Sequence, residues 1–219
     1  MIIAERKPLD EVRDMISGYK KVLVVGCGTC VTICWAGGEK EVGLLCSELR
    51  LARSNEGGEV SVTDAIVERQ CEQEMVEEIR DKAEGVKAIL SMGCGVGVQT
   101  IGDMFEGIPV FPALNTAFLG MPEGEGLWTE RCAACGDCLL RWTGAICPSA
   151  RCAKGLLNGP CGGTRRGGKC EVDAEKDCAW VLIYRRLEKQ GRLDLMERYY
   201  EPKNYRAVKR PGKIEARQA

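Results

Sequence analysis

Apolar and polar positions alternate in blocks along the first half of the chain. "KVLVVG" (21–26) is a short apolar run closed by glycine, the pattern of a strand buried on both faces. "GEKEVGLLCSELRLARS" (38–54) then repeats Val42, Leu45, Leu49 and Ala52 at helical spacing. "EVSVTDAI" (59–66) alternates as a strand does. "CEQEMVEEIRDKAEG" (71–85) puts Met75, Val76, Ile79 and Ala83 on one helical face and stops at Gly85. A third strand, "VKAILSM" (86–92), a short helix, "VQTIGDMF" (98–105), and a fourth strand, "IPVFPAL" (108–114), complete the series, and residues 9–19 predict a helix upstream of it. Strands alternating with helices imply right-handed crossovers, and so an α/β fold with a mostly parallel sheet and flanking helices.

That rhythm stops near residue 121. Eight cysteines lie between Cys132 and Cys178, among Gly, Pro and Arg and with few long apolar runs. Apolar burial alone gives such a stretch little to fold on, so metal ligation is the expected source of its core. "CAWVLIYRRLEKQG" (178–191) and "RLDLMERYY" (192–200) then read as two helices, and the tail from 201 has six basic and two acidic residues with little to bury. The expected organisation is an α/β domain over residues 1–120, a small Cys-rich, metal-stabilised domain with C-terminal helices over 121–200, and an extended basic tail over 201–219.

Composition narrows the function classes. Thirty-one basic residues balance 32 acidic ones, which argues against nucleic acid or an acidic membrane as the main partner. The longest uncharged run, Val22 to Gly38, is Gly- and Cys-rich and too short to span a bilayer. The start, "MIIAERKPLDEVRD", lacks an apolar segment of signal-peptide length, so a cytoplasmic location is expected. In that reducing compartment clustered cysteines bind metal or do redox chemistry rather than form stable disulfides. The chain has 14 cysteines and no histidine, so a protein-derived metal site must draw mainly on thiolates. Soft thiolate sets suit zinc or an iron–sulfur cluster.

The predicted strands give the first thiol group a location. Cys27, Cys30 and Cys34 follow the first of them in "GCGTCVTIC", Cys71 follows the second after a short loop, and Cys94 follows the third in "MGCGVG". In a parallel sheet these loops emerge at one carboxyl edge, where open α/β folds bind ligands. Three other readings compete. "GCGTCV" begins like the dinucleotide fingerprint G-x-G-x-x-G but has Val31 at the third glycine position. Cys27 and Cys30 form a C-x-x-C pair after a strand, as in thioredoxin-like redox sites, which leaves Cys34 and Cys94 without a role. Buried cysteine acting as a small hydrophobe is the reading for Cys46, inside the first crossover helix.

The second group opens with "CAACGDC", a C-x₂-C-x₂-C run formed by Cys132, Cys135 and Cys138, as in a bacterial ferredoxin. Cys147 precedes Pro148 as the fourth ferredoxin ligand would, but after a gap of eight residues instead of three. Three thiolates on one tight turn suit a face of a cubane, whereas tetrahedral zinc usually takes two separated pairs. Cys147, Cys152, Cys161, Cys170 and Cys178 offer further ligands, enough with the triplet for two clusters or for one cluster and a zinc. Arg151, Lys154, Arg165 and Arg166 could offset the thiolate charge or serve as ordinary solvated cations.

The segments "GCGTCVTICWAGGEKEV", "ERQCEQE", "CGVGVQT", "FPALNTAFLG", "ERCAACGDCLLRWTGAICPSARCAKGLLNGPCGG" and "KCEVDAEKDCAWVLIYRRL" together resemble the methylenetetrahydrofolate reductase C-terminal domain family, over roughly residues 20–200. Its stand-alone members include a small zinc- or iron–sulfur-binding subunit of the two-subunit reductase of acetogenic bacteria. Cys27, Cys30, Cys34, Cys71, Cys94 and the eight cysteines from Cys132 to Cys178 fall on the Cys-rich segments of the family it resembles, and two or three [4Fe–4S] clusters, with zinc as an option at one site, are expected on them; the resemblance itself fixes neither cluster number nor which cysteine joins which metal. It implies a flavin-bearing catalytic partner subunit, the flavin being on that partner alone, and an upstream electron-donating redox complex. It also implies electron transfer to that flavin, which reduces methylene- to methyltetrahydrofolate. No histidine and no recognisable pair of carboxylates is present for acid–base work, so no catalytic residue is expected on this chain. A structural zinc-binding assembly subunit is the alternative, and a thiol redox enzyme using Cys27 and Cys30 a third.

Overall fold

The computed structural model describes residues 1–55, 61–204 and 211–212. In chain order the elements are β1 (Ile2–Arg6), α1 (Leu9–Met15), β2 (Lys21–Cys27), α2 (Cys30–Ile33), α3 (Glu39–Asn55), β3 (Ser61–Val67), α4 (Gln73–Val76), α5 (Arg80–Ala83), β4 (Ala88–Met92), α6 (Gly95–Met104), β5 (Val110–Pro112), β6 (Leu114–Gly124), β7 (Leu127–Cys132), α7 (Pro148–Arg151) and α8 (Ala179–Lys189). Short 3₁₀ turns occupy Glu77–Ile79, Arg166–Gly168 and Leu193–Glu197. The chain divides into two compact units, Met1–Thr129 and Glu130–Ala219.

The first unit is the expected α/β fold. Its four-stranded sheet runs β3-β2-β4-β5 with every pairing parallel. The run "KVLVVG" forms the central strand because it serves two cores at once. Val22 and Val24 face the cluster that holds Val42, Leu45 and Leu49 of α3, while Leu23 and Val25 face the cluster that holds Val76, Ile79, Ala83 and Ile101. The period-2 alternation of a strand thus buries both faces and leaves no polar side. β4 repeats the device, with Ala88, Leu90 and Met92 on one face and Ile89 on the other. From β2 the chain crosses one face to reach β3, then the opposite face to reach β4. The loops after β2 and β4 therefore part at the carboxyl edge, and the crevice between them is the topological switch point.

Several elements differ from the sequence pattern. The helix predicted over 71–85 is broken into α4, a 3₁₀ turn and α5, although its apolar face is buried as expected. The fourth strand is shorter than predicted, and the chain turns at once into β6, which pairs antiparallel with β1 and with β7 in a separate three-stranded sheet. β1 and the β6–β7 hairpin carry no local signal as clear as the β/α blocks. A bulge between Ile3 and Ala4 interrupts the β1–β6 register.

The second unit has little regular structure. Its apolar core is Ile146, Cys178, Trp180, Ile183 and Leu187, built mainly on α8, and the Trp180 indole N–H donates to the Leu156 carbonyl at 3.0 Å. The helix expected over 192–200 is reduced to the single 3₁₀ turn. Most of the basic tail lies outside the described residues.

Candidate functional site: thiols at the carboxyl edge and in the second unit

All fourteen cysteines are free thiols. In the first unit three of the predicted five stand around the switch point. Cys27 ends β2, with its backbone N–H bonded to the Gly37 carbonyl at 3.0 Å. Cys94 is the N-cap residue of α6, and Cys71 lies four residues past β3. Cys71 is exposed, yet partial desolvation by its surroundings pushes its thiol up, the nearby Cys27, Cys94 and Glu72 adding to the rise against its own backbone hydrogen bond. That influence puts Cys27 and Cys94 within electrostatic range of Cys71. The loop between β2 and α3 closes tightly on this edge: a Cβ on Gly37 would collide with the Met92 carbonyl of β4.

Cys30 and Cys34 bracket α2. Cys30 begins α2 and is half-buried, whereas Cys34 turns inward. Its thiol donates to the Ala4 carbonyl at 3.6 Å, within the core cluster, and burial pushes its pKa up. Cys46 is buried on the inner face of α3, its thiol pushed up to about 11 by desolvation first and by Asp64 second. It fills a core position, as its helical place implied.

In the second unit the C-x₂-C-x₂-C run folds as a tight reversal. Ala134 at φ 48° and Gly136 at φ 73° hold alternate left-handed positions, so the chain curls around its own thiols. The Ala134 N–H donates to Cys132 Sγ at 3.3 Å. Lys203 reaches the same turn: its ammonium donates to Cys135 Sγ at 2.7 Å, to Ser149 Oγ at 3.2 Å and to the Asp137 carbonyl at 3.3 Å. That hydrogen bond is the main reason the Cys135 thiol is held below the ordinary range. Cys138 is exposed at the end of the run. Cys147 caps α7 ahead of Pro148, a residue suited to a first helical position, and Cys152 closes the same helix.

The remaining thiols lie in the loops before α8. Cys161 contacts the carboxylate of Glu171, which also pairs with Lys154. Cys170 sits in a turn, its N–H bonded to the Lys176 carbonyl. Cys178 caps α8 and accepts a hydrogen bond from the Thr164 hydroxyl at 3.6 Å. Among the cations singled out in the sequence, Lys154 and Arg165 both engage Glu171. Lys203 carried no signal beyond membership of a basic tail.

In its chemistry the donor set fits a thiophilic metal group: soft, unoxidised sulfurs, several with N–H or O–H donors already directed at them. As placed, the sulfurs satisfy their own polar neighbours, and among the described residues no three His, Cys, Asp or Glu side chains are grouped to hold a metal ion.

The fold and thiols together define an open α/β unit with cysteines at its switch point, followed in sequence by a cysteine-rich unit. Residues 111–206, which include all eight cysteines of the second group, match the family model described as methylene-tetrahydrofolate reductase C terminal. The first 110 residues lie outside that match. No curated protein matches the chain. Among solved structures there is a likeness to an extracellular ligand-binding receptor from Verminephrobacter eiseniae, 12% identical with a TM-score of 0.35, over 48% of this chain and 28% of that one. At that level the likeness carries no argument about fold or function. Among the described residues no helix is long and apolar enough to cross a membrane.

Proposed function

We propose that this chain is the electron-transfer subunit of a methylenetetrahydrofolate reductase system, holding [4Fe–4S] clusters and delivering electrons to a flavin on a separate catalytic subunit. The observation that carries the reading is the coincidence of the family match with the eight-cysteine segment. Clusters of this type supply one-electron redox chemistry at potentials set by charge, hydrogen bonding to sulfur and solvent access. The residues of the chain serve that purpose by holding and tuning sulfur. Cys132, Cys135 and Cys138 present three thiols on one curled turn, and the Ala134 amide and the Lys203 ammonium donate to two of them. Cys27, Cys71 and Cys94 gather at the switch point, with Cys30 at the edge of the same loop.

Reduction of the folate is assigned to the partner, because the thiol sites hold no carboxylate pair or histidine arranged for acid–base work.

The test is iron, acid-labile sulfide and zinc per chain on anaerobically purified protein, with EPR after dithionite reduction. Two to three cubanes correspond to about eight to twelve iron with matching sulfide, at four iron each. Near-zero iron with stoichiometric zinc and no EPR signal would replace this reading with the structural zinc subunit. Reduction of methylenetetrahydrofolate by the isolated chain would also overturn it.

A further inference from the structure

Gln70 precedes Cys71 in a polar loop, "ERQCEQE", yet its side chain is 1% exposed. A buried primary amide must satisfy its donors and acceptor inside the protein or lose on the order of 1–3 kcal/mol. Gln70 does so by reaching two strands. Its Nε2 donates to the Val25 carbonyl of β2 at 2.9 Å, two residues before Cys27. Its Oε1 accepts from the hydroxyl of Ser91, a fully buried residue of β4, at 2.7 Å. Ser91 Oγ in turn accepts the Gly93 N–H at 3.2 Å, immediately before Cys94.

Two glycines make room for this amide. A Cβ at Gly93 would overlap the Gln70 carboxamide, and one at Gly97 would lie 2.6 Å from Gln70 Cβ. Neither glycine has a positive φ, so close approach to Gln70 is the reason for glycine at both positions. On the far side of Cys94, the Gly95 N–H is tied to Thr116 Oγ1 of β6 at 2.8 Å. One side chain thus ties the loop that carries Cys71 to the two strands that lead into Cys27 and Cys94.

We infer that Gln70 is the positioning residue of the carboxyl-edge thiols, fixing the separation of Cys71 from Cys27 and Cys94. It acts through backbone and hydroxyl groups, not through a contact with sulfur. The importance of the role rests on the electron-transfer reading, but the role itself concerns thiol placement and holds for any occupant of the edge.

The experiment is a short pulse of iodoacetamide on the full-length chain in reducing, chelator-containing buffer, read residue by residue by peptide mass spectrometry. In Gln70→Leu, which keeps bulk and removes the amide, the buried Cys27 and the half-buried Cys94 should alkylate about tenfold faster, as expected for losing a buried hydrogen-bonded clamp. Cys46, buried in the same unit, should keep its wild-type rate. A parallel rise at Cys46 would mean that Gln70 only supports the unit as a whole, and unchanged rates at Cys27 and Cys94 would remove the clamp. Both results overturn the inference.

If Gln70→Leu does not fold, Gly93→Ala gives a second route. It should loosen Cys27 and Cys94 in the same way by displacing the carboxamide, and Gly93→Ala combined with Gln70→Ala should alkylate no faster than Gln70→Ala alone. Additive loosening in the double variant would overturn the proposal. The alkylation pattern is independent of iron content, so failure of the cluster reading and failure of this one are read separately.

Discussion

The Nζ of Lys203 lies 2.7 Å from the Sγ of Cys135, joining a basic residue near the chain terminus to the middle cysteine of the C-x₂-C-x₂-C turn. The two partners shift in the directions an ion pair requires. The Cys135 thiol is lowered, chiefly by this hydrogen bond. For Lys203 burial is the largest influence and acts to lower its pKa, but Cys135, Asp137 and Cys147 outweigh it and the ammonium is raised.

In the metal-free chain, Lys203→Met should therefore move the pH midpoint of Cys135 alkylation upward. The sign follows from linkage. The thiol's contribution to stability is present above its ordinary pKa and fades as pH falls through the lowered value. The lysine's contribution is present below its ordinary pKa and fades as pH rises through the raised value. The pair is thus strongest in the alkaline window between the two. Alkylation profiles of wild type and variant that coincide would show that the contact does not form in solution.

Cys46 should behave in the opposite way. Its thiol is pushed up to about 11, mainly by burial, so it stays protonated and unreactive to iodoacetamide at neutral pH. Because the folded form holds the neutral thiol, stability should fall as pH rises past the ordinary thiol range. Cys46→Ala should leave iron and zinc content unchanged and cost about 1 kcal/mol in thermal or denaturant unfolding. Loss of metal in that variant would place Cys46 among the ligands.

Glycines of the first unit divide by what surrounds them. Gly37→Ala drives a Cβ onto the Met92 backbone carbonyl, which cannot move without breaking β4, so a loss of about 3 kcal/mol is expected. Gly43 lies within α3 with nothing inside 4 Å of an added Cβ. Gly43→Ala should stabilise by about 0.5–1 kcal/mol through helix propensity and a less flexible unfolded chain. Denaturant midpoints of the two variants should move in opposite directions.

The second unit should depend on its small apolar core as well as on any bound metal. Ile183 is fully buried on α8 against Trp180 and Leu187. Ile183→Ala should cost about 2–4 kcal/mol. Melting curves with and without chelator should both shift downward. If the shift vanished with metal present, ligation would be the dominant stabiliser of this unit.

How far the sequence could be read depends on the range of each signal. The period-2 and period-3.6 patterns over residues 21–114 located four strands and their crossover helices, because a side chain's direction within one element follows from local backbone geometry. The loop positions of Cys27, Cys71 and Cys94 followed from those strands, and so did the helical, buried place of Cys46. The strand β1 was not legible: five residues of ordinary composition acquire a strand role only by pairing with β6, more than a hundred positions away.

What only the tertiary structure decided was which residues meet. Cys34 has the same local spacing as a ligand, and only the fold sets its thiol against the Ala4 carbonyl. Gln70 reads as one more polar loop residue, and it is buried because Ser91, Gly93 and Gly97 on another segment provide partners and space. Lys203 reads as part of a basic tail, and the fold of the second unit places its ammonium on Cys135. In each case the deciding energy is a contact between segments distant in sequence, where chain entropy is overcome jointly by many residues and no local pattern records the outcome.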